Sequence, residues 1–391
     1  MKTPYFMISQ KLLDQNVFEF QYALEQLWPN SCISYSVKTN ALPWILKHLK
    51  SKGIFAEVVS DEEYQLALLA GYRDNQIIFN GPIKGESVFQ RACNKEAYIN
   101  LDSKRDLFFF KQYGNKNTKV GIRINIDTSI FDNKDIGYVE DGFRFGFSEK
   151  NGELKKVIDV LKSVCRNTTF GLHLHCNSIT RSKNVYIAVA KYALEIIRKY
   201  NLNLSFIDIG GGFFGGVPGK TTPYEYIQAI KNVLSEVINP LKTKLIVEPG
   251  SAIIGSVISL HTVVLDIKDT KKARIVTTDG SRVQIDPLWV KTNYTYSIKQ
   301  KEKTLPMKKQ IICGYTCMDH DRIMILDNEP ELLVNDEIIY HRVGAYSMTF
   351  GGMFIKYYPD VYVEYEDKIE KVRKEISIEE FYNIHSNVTS I

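Results

Sequence analysis

The sequence predicts an α/β protein: a (β/α)8 barrel followed by a C-terminal, mostly antiparallel β domain. Three observations predict it. Short, continuously apolar runs alternate with helix-like stretches eight times within about 250 residues, the count and length of a closed barrel. Several runs end in Gly, Asn or Ser and pass straight into the next helical stretch, as βα loops do. After Ile254 the alternation gives way to strand-like runs with few long helices between them.

The eight runs are Ile33–Lys38, Phe55–Ser60, Ile77–Asn80, Ala97–Asp102, Val120–Asn125, Phe170–Cys176, Ser205–Gly211 and Leu245–Gly250. Between them, Asp61–Ala70, Ser103–Tyr113, Leu154–Cys165, Val185–Tyr200 and Pro223–Ile238 carry helical periodicity. Continuous apolar strands separated by helices imply a parallel sheet covered on both faces. An open doubly wound sheet is the competing arrangement. It ranks second, because no Gly-x-Gly-x-x-Gly opens the first helix and the eighth strand arrives on schedule.

In the second domain, Val257–Ile267, Ala273–Thr278, Gln310–Cys313, Glu337–Val343 and Val361–Tyr365 read as strands. Thr292–Lys308, rich in Lys and Tyr, has no clear period and reads as a mobile loop. A chain of 391 residues is too long for one comfortable core. The division expected is a barrel over 12–256 and a β domain over 1–11 and 257–391, the latter carrying Cys317 and Tyr346.

Composition excludes several function classes. Hydrophobic residues at 44% and charged residues at 24% argue for a folded globular chain rather than disorder. The net charge of +5 is mild and the basic residues are dispersed, so no nucleic-acid footprint is expected. The six cysteines show no metal-ligand spacing, and no metal is expected. The first residues, MKTPYFMISQ, do not resemble a signal peptide, and no apolar run is long enough for a bilayer. A cytoplasmic protein with reduced thiols and no membrane partner is the expectation.

In such a barrel the reactive groups sit at the C-terminal ends of the strands. Those positions hold Lys38, Glu57, Asn80, Arg123, His173, His175, the run Gly210-Gly211-Gly212, and Glu248. The set contains no nucleophile–base triad. A lysine at a strand end beside a glycine run suggests a cofactor held as a Schiff base, although a lone lysine would be read as snorkelling to solvent. The glycine run follows the seventh strand, where such barrels usually bind phosphate; taken alone it is equally a tight turn. Glu248 could keep a pyridine nitrogen protonated, or form a salt bridge inside the barrel. His173 and His175 alternate on one strand and share a side. A metal pair would lack further ligands, so stacking on a flat ring is read for His175 and packing for His173.

These motifs resemble the fold-type III PLP-dependent decarboxylases, the diaminopimelate and ornithine decarboxylase family, through nearly the whole chain and in the family's order. Tyr35–Asn40 resembles the Schiff-base lysine strand, and Glu57-Val58-Val59-Ser60 with Glu63 the second strand. Arg123-Ile124-Asn125 and Arg144-Phe145-Gly146 resemble two further segments. His175-Cys176-Asn177-Ser178 matches a His-x-Gly-Ser segment with Asn177 in place of glycine. The glycine run, Glu248-Pro249-Gly250, Gly314-Tyr315-Thr316-Cys317 and Gly344-Ala345-Tyr346 complete the series.

The resemblance implies a PLP-binding, alanine-racemase-type (TIM-like) barrel and pyridoxal 5'-phosphate as cofactor. Lys38 would carry the cofactor, His175 would stack on its ring and Glu248 would bind the ring nitrogen. Ser178, Gly211, Gly212 and Tyr346 would hold the phosphate, with Glu57, Arg123, Gly210, Gly250 and Ser251 among the residues around it. The family's head-to-tail homodimer would bring Cys317 from the partner subunit to protonate the product.

The resemblance also exposes departures. Diaminopimelate decarboxylases have an Arg after Glu-Pro-Gly, an Arg–Pro and a Tyr in the next domain, and a Glu after the catalytic Cys. Here Ser251, Asp286, Val290 and Met318 stand at those positions. Losing two guanidinium clamps argues against a distal carboxylate. Asp286 and Asp319 could instead receive a cationic tail, with Tyr315 and Met318 nearby. The expectation is therefore a specialised biosynthetic decarboxylase of an amino acid or conjugate, in siderophore, polyamine or peptide-antibiotic assembly. The alternatives are diaminopimelate decarboxylation in lysine synthesis and an alanine-racemase-like activity, which Glu248 disfavours because racemases of this type place an Arg there. A non-catalytic PLP-binding protein ranks last, because Lys38 and Cys317 are both present.

Overall fold

The computed structural model describes residues 1–164 and 169–386. Two compact units emerge: Gln15–Ile253, and a second one made of Met1–Asp14 with Ile254–Ile391.

The first unit is the expected barrel. Eight parallel strands, Ser31–Ser36, Phe55–Val58, Ile77–Phe79, Tyr98–Leu101, Lys119–Asn125, Phe170–His173, Leu204–Asp208 and Lys244–Val247, pair in sequence order. The eighth closes on the first, with Leu245 opposite Ser31 and Val247 opposite Ile33. Their side chains are almost wholly buried, which is why the strands read as continuous apolar runs. One core cluster joins Cys32, Ile78, Tyr98, Phe206 and Ile246, with the Tyr98 and Phe206 rings edge to face at 5.2 Å.

Helices start where sequence caps them. Ser60 accepts a hydrogen bond from the Glu63 N–H and Ser103 from the Asp106 N–H. Thr222 and Glu225 form a reciprocal capping box before Pro223. The five expected helices are observed as Asp61–Leu69, Lys104–Tyr113, Glu153–Val164, Lys183–Tyr200 and Pro223–Leu234, and Gln10–Leu27, Pro43–Ser51 and Glu86–Asn94 are helices as well. Cys165, the end of one expected helix, lies outside the described residues.

The strands end earlier than the apolar pattern suggested. Lys38 sits on a 3-10 turn, Val37–Thr39, and His175 lies two residues past its strand. These residues leave the ladder because their side chains and backbone engage the groups at the strand ends instead of neighbouring strands. A short strand, Phe147–Ser148, pairs with Ile124 and Asn125 and was not anticipated.

In the second unit, strand order runs Arg322–Leu326, Gln310–Cys313, Arg274–Thr278, Ile258–Asp269, Tyr5–Ser9, Asp360–Tyr365, Lys368–Arg373. Tyr5–Ser9 is parallel to Asp360–Tyr365 and Arg274–Thr278 to Gln310–Cys313; the other pairings are antiparallel. The segment expected as a mobile loop is corrected. Thr295–Lys299 pairs with Glu337–His341, and Pro306–Met307 pairs with Glu329–Pro330. Among the described residues, no helix is long and apolar enough to cross a membrane.

Candidate active site

At the strand ends of the barrel, a chain of hydrogen bonds links residues from six strands. Lys38 Nζ lies 2.6 Å from Glu57 Oε2, which also accepts from Ser36 Oγ at 2.5 Å. Asn80 Nδ2 donates to Glu57 Oε1 at 3.1 Å and to Glu248 Oε1 at 2.6 Å. Asn100 Nδ2 donates to Asn80 Oδ1 at 2.9 Å and to Asp208 Oδ2 at 3.0 Å. Asp208 Oδ1 accepts from the Gly210 N–H at 2.9 Å.

Three carboxyl groups are thus buried within one network, and they cannot all ionise cheaply. Burial pushes Glu57 upward, but the Lys38 ammonium and hydrogen bonds from Lys38, Ser36 and Asn80 outweigh it, so Glu57 titrates below the usual range. Glu248 moves the other way. Burial, then the neighbouring Asp208 and Glu57 charges, raise it well above an ordinary carboxyl. Burial also pushes Asp208 up to about 6. The consistent state has Glu57 ionised against Lys38 and a proton held on Glu248 beside Asp208.

His173 brings Nε2 to 3.7 Å from Glu248 Oε2, and both of its ring nitrogens are buried without a hydrogen-bond partner among the described residues. His173, Asp208 and Glu248 place potential ligand atoms within 4.8 Å of one another, a third donor the sequence reading did not identify. Burial, then Arg123 and Lys38, lower His175 to about 3, so its ring is neutral. The Gly211 N–H donates to His175 Nδ1 at 3.3 Å, which leaves Nε2 to carry the ring proton.

The glycine run wraps this imidazole. A Cβ on Gly210, at φ +69°, would fall 2.6 Å from the His175 side chain. One on Gly211 would fall 2.2 Å from the Glu248 carbonyl oxygen. Side chains are therefore excluded here by contact. Gly250 packs against Ser36 and Thr39, and Ser251 opens a short helix, Ser251–Ile254.

Arg123 pairs with Asp102 at 2.8 Å and stacks 4.4 Å from the Phe145 ring. Behind it lies a fully buried pair, Lys84 Nζ to Asp106 Oδ2 at 2.7 Å. Asp106 Oδ2 also accepts the Asp102 N–H. Ser178 does not present a spare hydroxyl: Oγ donates to the Asp135 carbonyl at 3.1 Å and accepts the Arg181 N–H at 2.9 Å.

The barrel brings Lys38, Glu57, Arg123, His175, Gly210, Gly211, Gly212 and Glu248 together. Cys317 and Tyr346 belong to the other unit. Cys317 is exposed on a loop pinned by buried Asp321, which accepts from Ser281 Oγ at 2.8 Å, Thr316 Oγ1 at 2.7 Å and the Arg282 N–H at 3.1 Å. Tyr346 has φ +58°, unusual for a bulky residue, with its ring 6.0 Å from Phe350. Asp319 is exposed, Met318 is half-buried, and Tyr315 lies under the Lys356 ammonium at 4.5 Å. Asp286, expected as a possible partner for a cationic tail, is already engaged. It accepts from Arg282 at 2.6 Å, Tyr294 at 3.0 Å, the Lys291 N–H at 3.1 Å and the Val290 N–H at 3.2 Å.

The sequence reading assigned no role to Asn100, Asp102, Asp106 or Asp208. Asn100 left a signal, an amide in the middle of the apolar strand Tyr98–Leu101.

Residues 15–255 match the pyridoxal-binding domain of the pyridoxal-dependent decarboxylases. A rice protein, probable chloroplastic diaminopimelate decarboxylase, is 26% identical over 100% of this chain and 81% of its own length. The diaminopimelate decarboxylase of Archaeoglobus fulgidus is 25% identical over 90% of this chain and 85% of its own. In fold, the crystal structure of diaminopimelate decarboxylase from M. jannaschii matches 100% of this chain and 93% of its own. The TM-score is 0.85 at 19% identity.

Proposed function

Because the chain belongs to the pyridoxal-dependent decarboxylases, we propose that it removes the α-carboxylate of diaminopimelate, the substrate its relatives' names support best. The chain is a PLP-dependent carboxy-lyase, and its cofactor is pyridoxal 5'-phosphate. The expectation of siderophore, polyamine or peptide-antibiotic assembly ranks second, since these relatives carry the diaminopimelate name. One observation carries the reading: a strand-end amine, Lys38, is linked through Glu57 and Asn80 to a protonated carboxyl, Glu248.

The residues fit the cofactor. Lys38 is a primary amine for its aldehyde, Glu248 a carboxyl for its ring nitrogen, and His175 a neutral flat ring for its face. The glycine run is packed so closely on Glu248 and His175 that no side chain fits at Gly210 or Gly211, and such side-chain-free backbone at a strand end suits a phosphate. When bound, the cofactor supplies the electron sink that makes loss of CO2 fast.

The protein's own groups do the rest. Glu57 Oε2 accepts the proton that Lys38 Nζ must lose before acting as a nucleophile. Glu248, oriented by the Asn80 amide at 2.6 Å and raised well above an ordinary carboxyl, is the group that would hold the cofactor's ring nitrogen and could share a proton with it. Cys317, from the partner subunit of a head-to-tail homodimer, returns a proton to the α-carbon, and its exposure on a pinned loop is consistent with that task.

A second reading is favoured by a specific observation. Ser251, Asp286, Val290 and Met318 replace the family's clamps, and Asp286 is paired with Arg282, so the distal group of the substrate meets different chemistry here. The deciding experiment is CO2 release by the PLP-loaded protein from diaminopimelate, lysine, ornithine, arginine and larger amino-acid conjugates. Fast turnover of diaminopimelate supports the first reading. Inert diaminopimelate alongside a reactive conjugate overturns it.

A further inference from the structure

Asn100 lies in the strand Tyr98–Leu101 and is 1% exposed. Both hydrogens of its Nδ2 are used, one on Asn80 Oδ1 at 2.9 Å and the other on Asp208 Oδ2 at 3.0 Å. Its own Oδ1 is buried with no hydrogen-bond partner among the described residues. That oxygen occupies room left by Gly121, its opposite number on the next strand, where a Cβ would fall 2.3 Å from it. A stranded buried acceptor is destabilising, and a leucine would fill the same volume without one. As packing the amide is therefore a poor choice, and what its NH2 group holds explains it better.

It holds the direction in which Asn80 faces. Asn80 Nδ2 divides its hydrogens between Glu57 Oε1 at 3.1 Å and Glu248 Oε1 at 2.6 Å. An amide has one donor end and one acceptor end. Turned over, Asn80 would set its oxygen against the Glu57 carboxylate and withdraw the donor from Glu248. Asn100 prevents this by presenting a donor to Asn80 Oδ1. On its other side Asn100 steadies Asp208, whose Oδ1 accepts the Gly210 N–H at 2.9 Å. One buried side chain thus links the start of the glycine run to Glu248 and to the acid that pairs with Lys38.

We propose that Asn100 is a positioning residue for the cofactor: acting through Asn80 rather than by contact, it aims Glu248 at the ring nitrogen. The inference rests on the pyridoxal-dependent reading above and goes beyond it, giving a role to a side chain that lies one amide behind the ring-nitrogen acid.

The probe is the deaza analogue of PLP, in which CH replaces the ring nitrogen while the aldehyde and phosphate are kept. Each compound would be titrated into the cofactor-free full chain, and binding followed by the visible absorbance that attachment to lysine produces. Wild type is expected to prefer PLP by about tenfold or more, the scale of one hydrogen bond to a charged group. Asn100→Asp is the decisive variant, because it keeps the shape and replaces the donor by an acceptor. Asn80 then turns its NH2 group toward position 100, and the preference for PLP is lost. Asn100→Leu, which removes the donor without reversing it, loses part of the preference. Attachment of either compound through Lys38 shows that a variant is folded, and a purely structural role would weaken both compounds alike. An unchanged preference in Asn100→Asp overturns the positioning role. If that variant attaches neither compound, Asn100→Leu decides, and a wild-type preference there overturns it. Wild type that attaches both compounds equally also overturns it, since Glu248 then does not hold the nitrogen. Wild type with no visible absorbance from either compound would instead overturn the cofactor reading itself.

Discussion

Lys38 Nζ and Glu57 Oε2 stand 2.6 Å apart, although the carboxylate is buried and the lysine side chain is 40% exposed. The amine therefore reaches inward from the mouth of the barrel and is held by an acid that cannot turn away, because Ser36 and Asn80 fix it from two other sides. Replacing Lys38 by Ala removes the amine alone. The PLP-loaded variant is expected to lose the visible absorbance of lysine-bound cofactor. An unchanged spectrum would show that another amine holds it.

Lys84 and Asp106 are both fully buried. Lys84→Met strands the Asp106 charge and is expected to destabilise the protein by about 3–5 kcal/mol, measured by urea unfolding. The double variant Lys84→Met/Asp106→Leu is expected to recover most of that loss. If the single variant unfolds like wild type, the pair does not anchor the Asp102–Arg123 segment.

Gly211→Ala drives a methyl group to 2.2 Å from the Glu248 carbonyl oxygen. Backbone cannot yield as a flexible side chain would, so about 1–3 kcal/mol of stability is lost. Cofactor retained after dialysis should fall with it. Full retention would place the phosphate elsewhere.

Acid acts on this site with opposing signs. His175 titrates near 3 in the fold against 6.5 ordinarily, so between those values the unfolded chain binds the extra proton. Its contribution rises with pH across that window and is lost as pH falls through it. Asp208 titrates near 6 against 3.8, so the folded state holds the extra proton there, and its contribution falls as pH rises from 3.8 to 6. Asp208→Asn removes the falling component. Between pH 4 and 6 its stability is expected to climb more steeply than wild type, by up to about 1.4 kcal/mol per pH unit. Parallel curves from urea midpoints would rule out Asp208 as the proton-holding partner.

Cys317→Ala is expected to slow product formation, or misplace the returning proton, while cofactor binding persists. Wild-type turnover in deuterium oxide, with unaltered label position, would assign the acid to another group.

The barrel was legible because its strands are buried on both faces and read as mostly apolar runs, and the strand-end residues Lys38, Glu57, His175 and Glu248 followed from that register. The connections among them were not legible. Asn100 and Asp208 meet across 108 positions of sequence, and only closure of the barrel brings them together. Thr295–Lys299 escaped notice for another reason. It pairs on one side only, with Glu337–His341, and its alternating exposure leaves little apolar signal. Asp286 was a missed local clue: Arg282 stands one helical turn earlier, at the spacing of an ion pair.

The strand Tyr5–Ser9 sits inside its sheet, flanked by Ile258–Asp269 and Asp360–Tyr365. Translation delivers that strand some 350 residues before its parallel partner. The barrel, by contrast, is one uninterrupted stretch, Gln15–Ile253, nested between the pieces of the other unit. On the ribosome the inserted barrel can close while the N-terminal strand still waits, unpaired and apolar, for chain not yet made. Hydrogen-exchange labelling during refolding would register this as early protection of Leu245–Val247 and late protection of Tyr5–Ser9. The chain's opening residues would then be the ones most dependent on chaperone cover during synthesis.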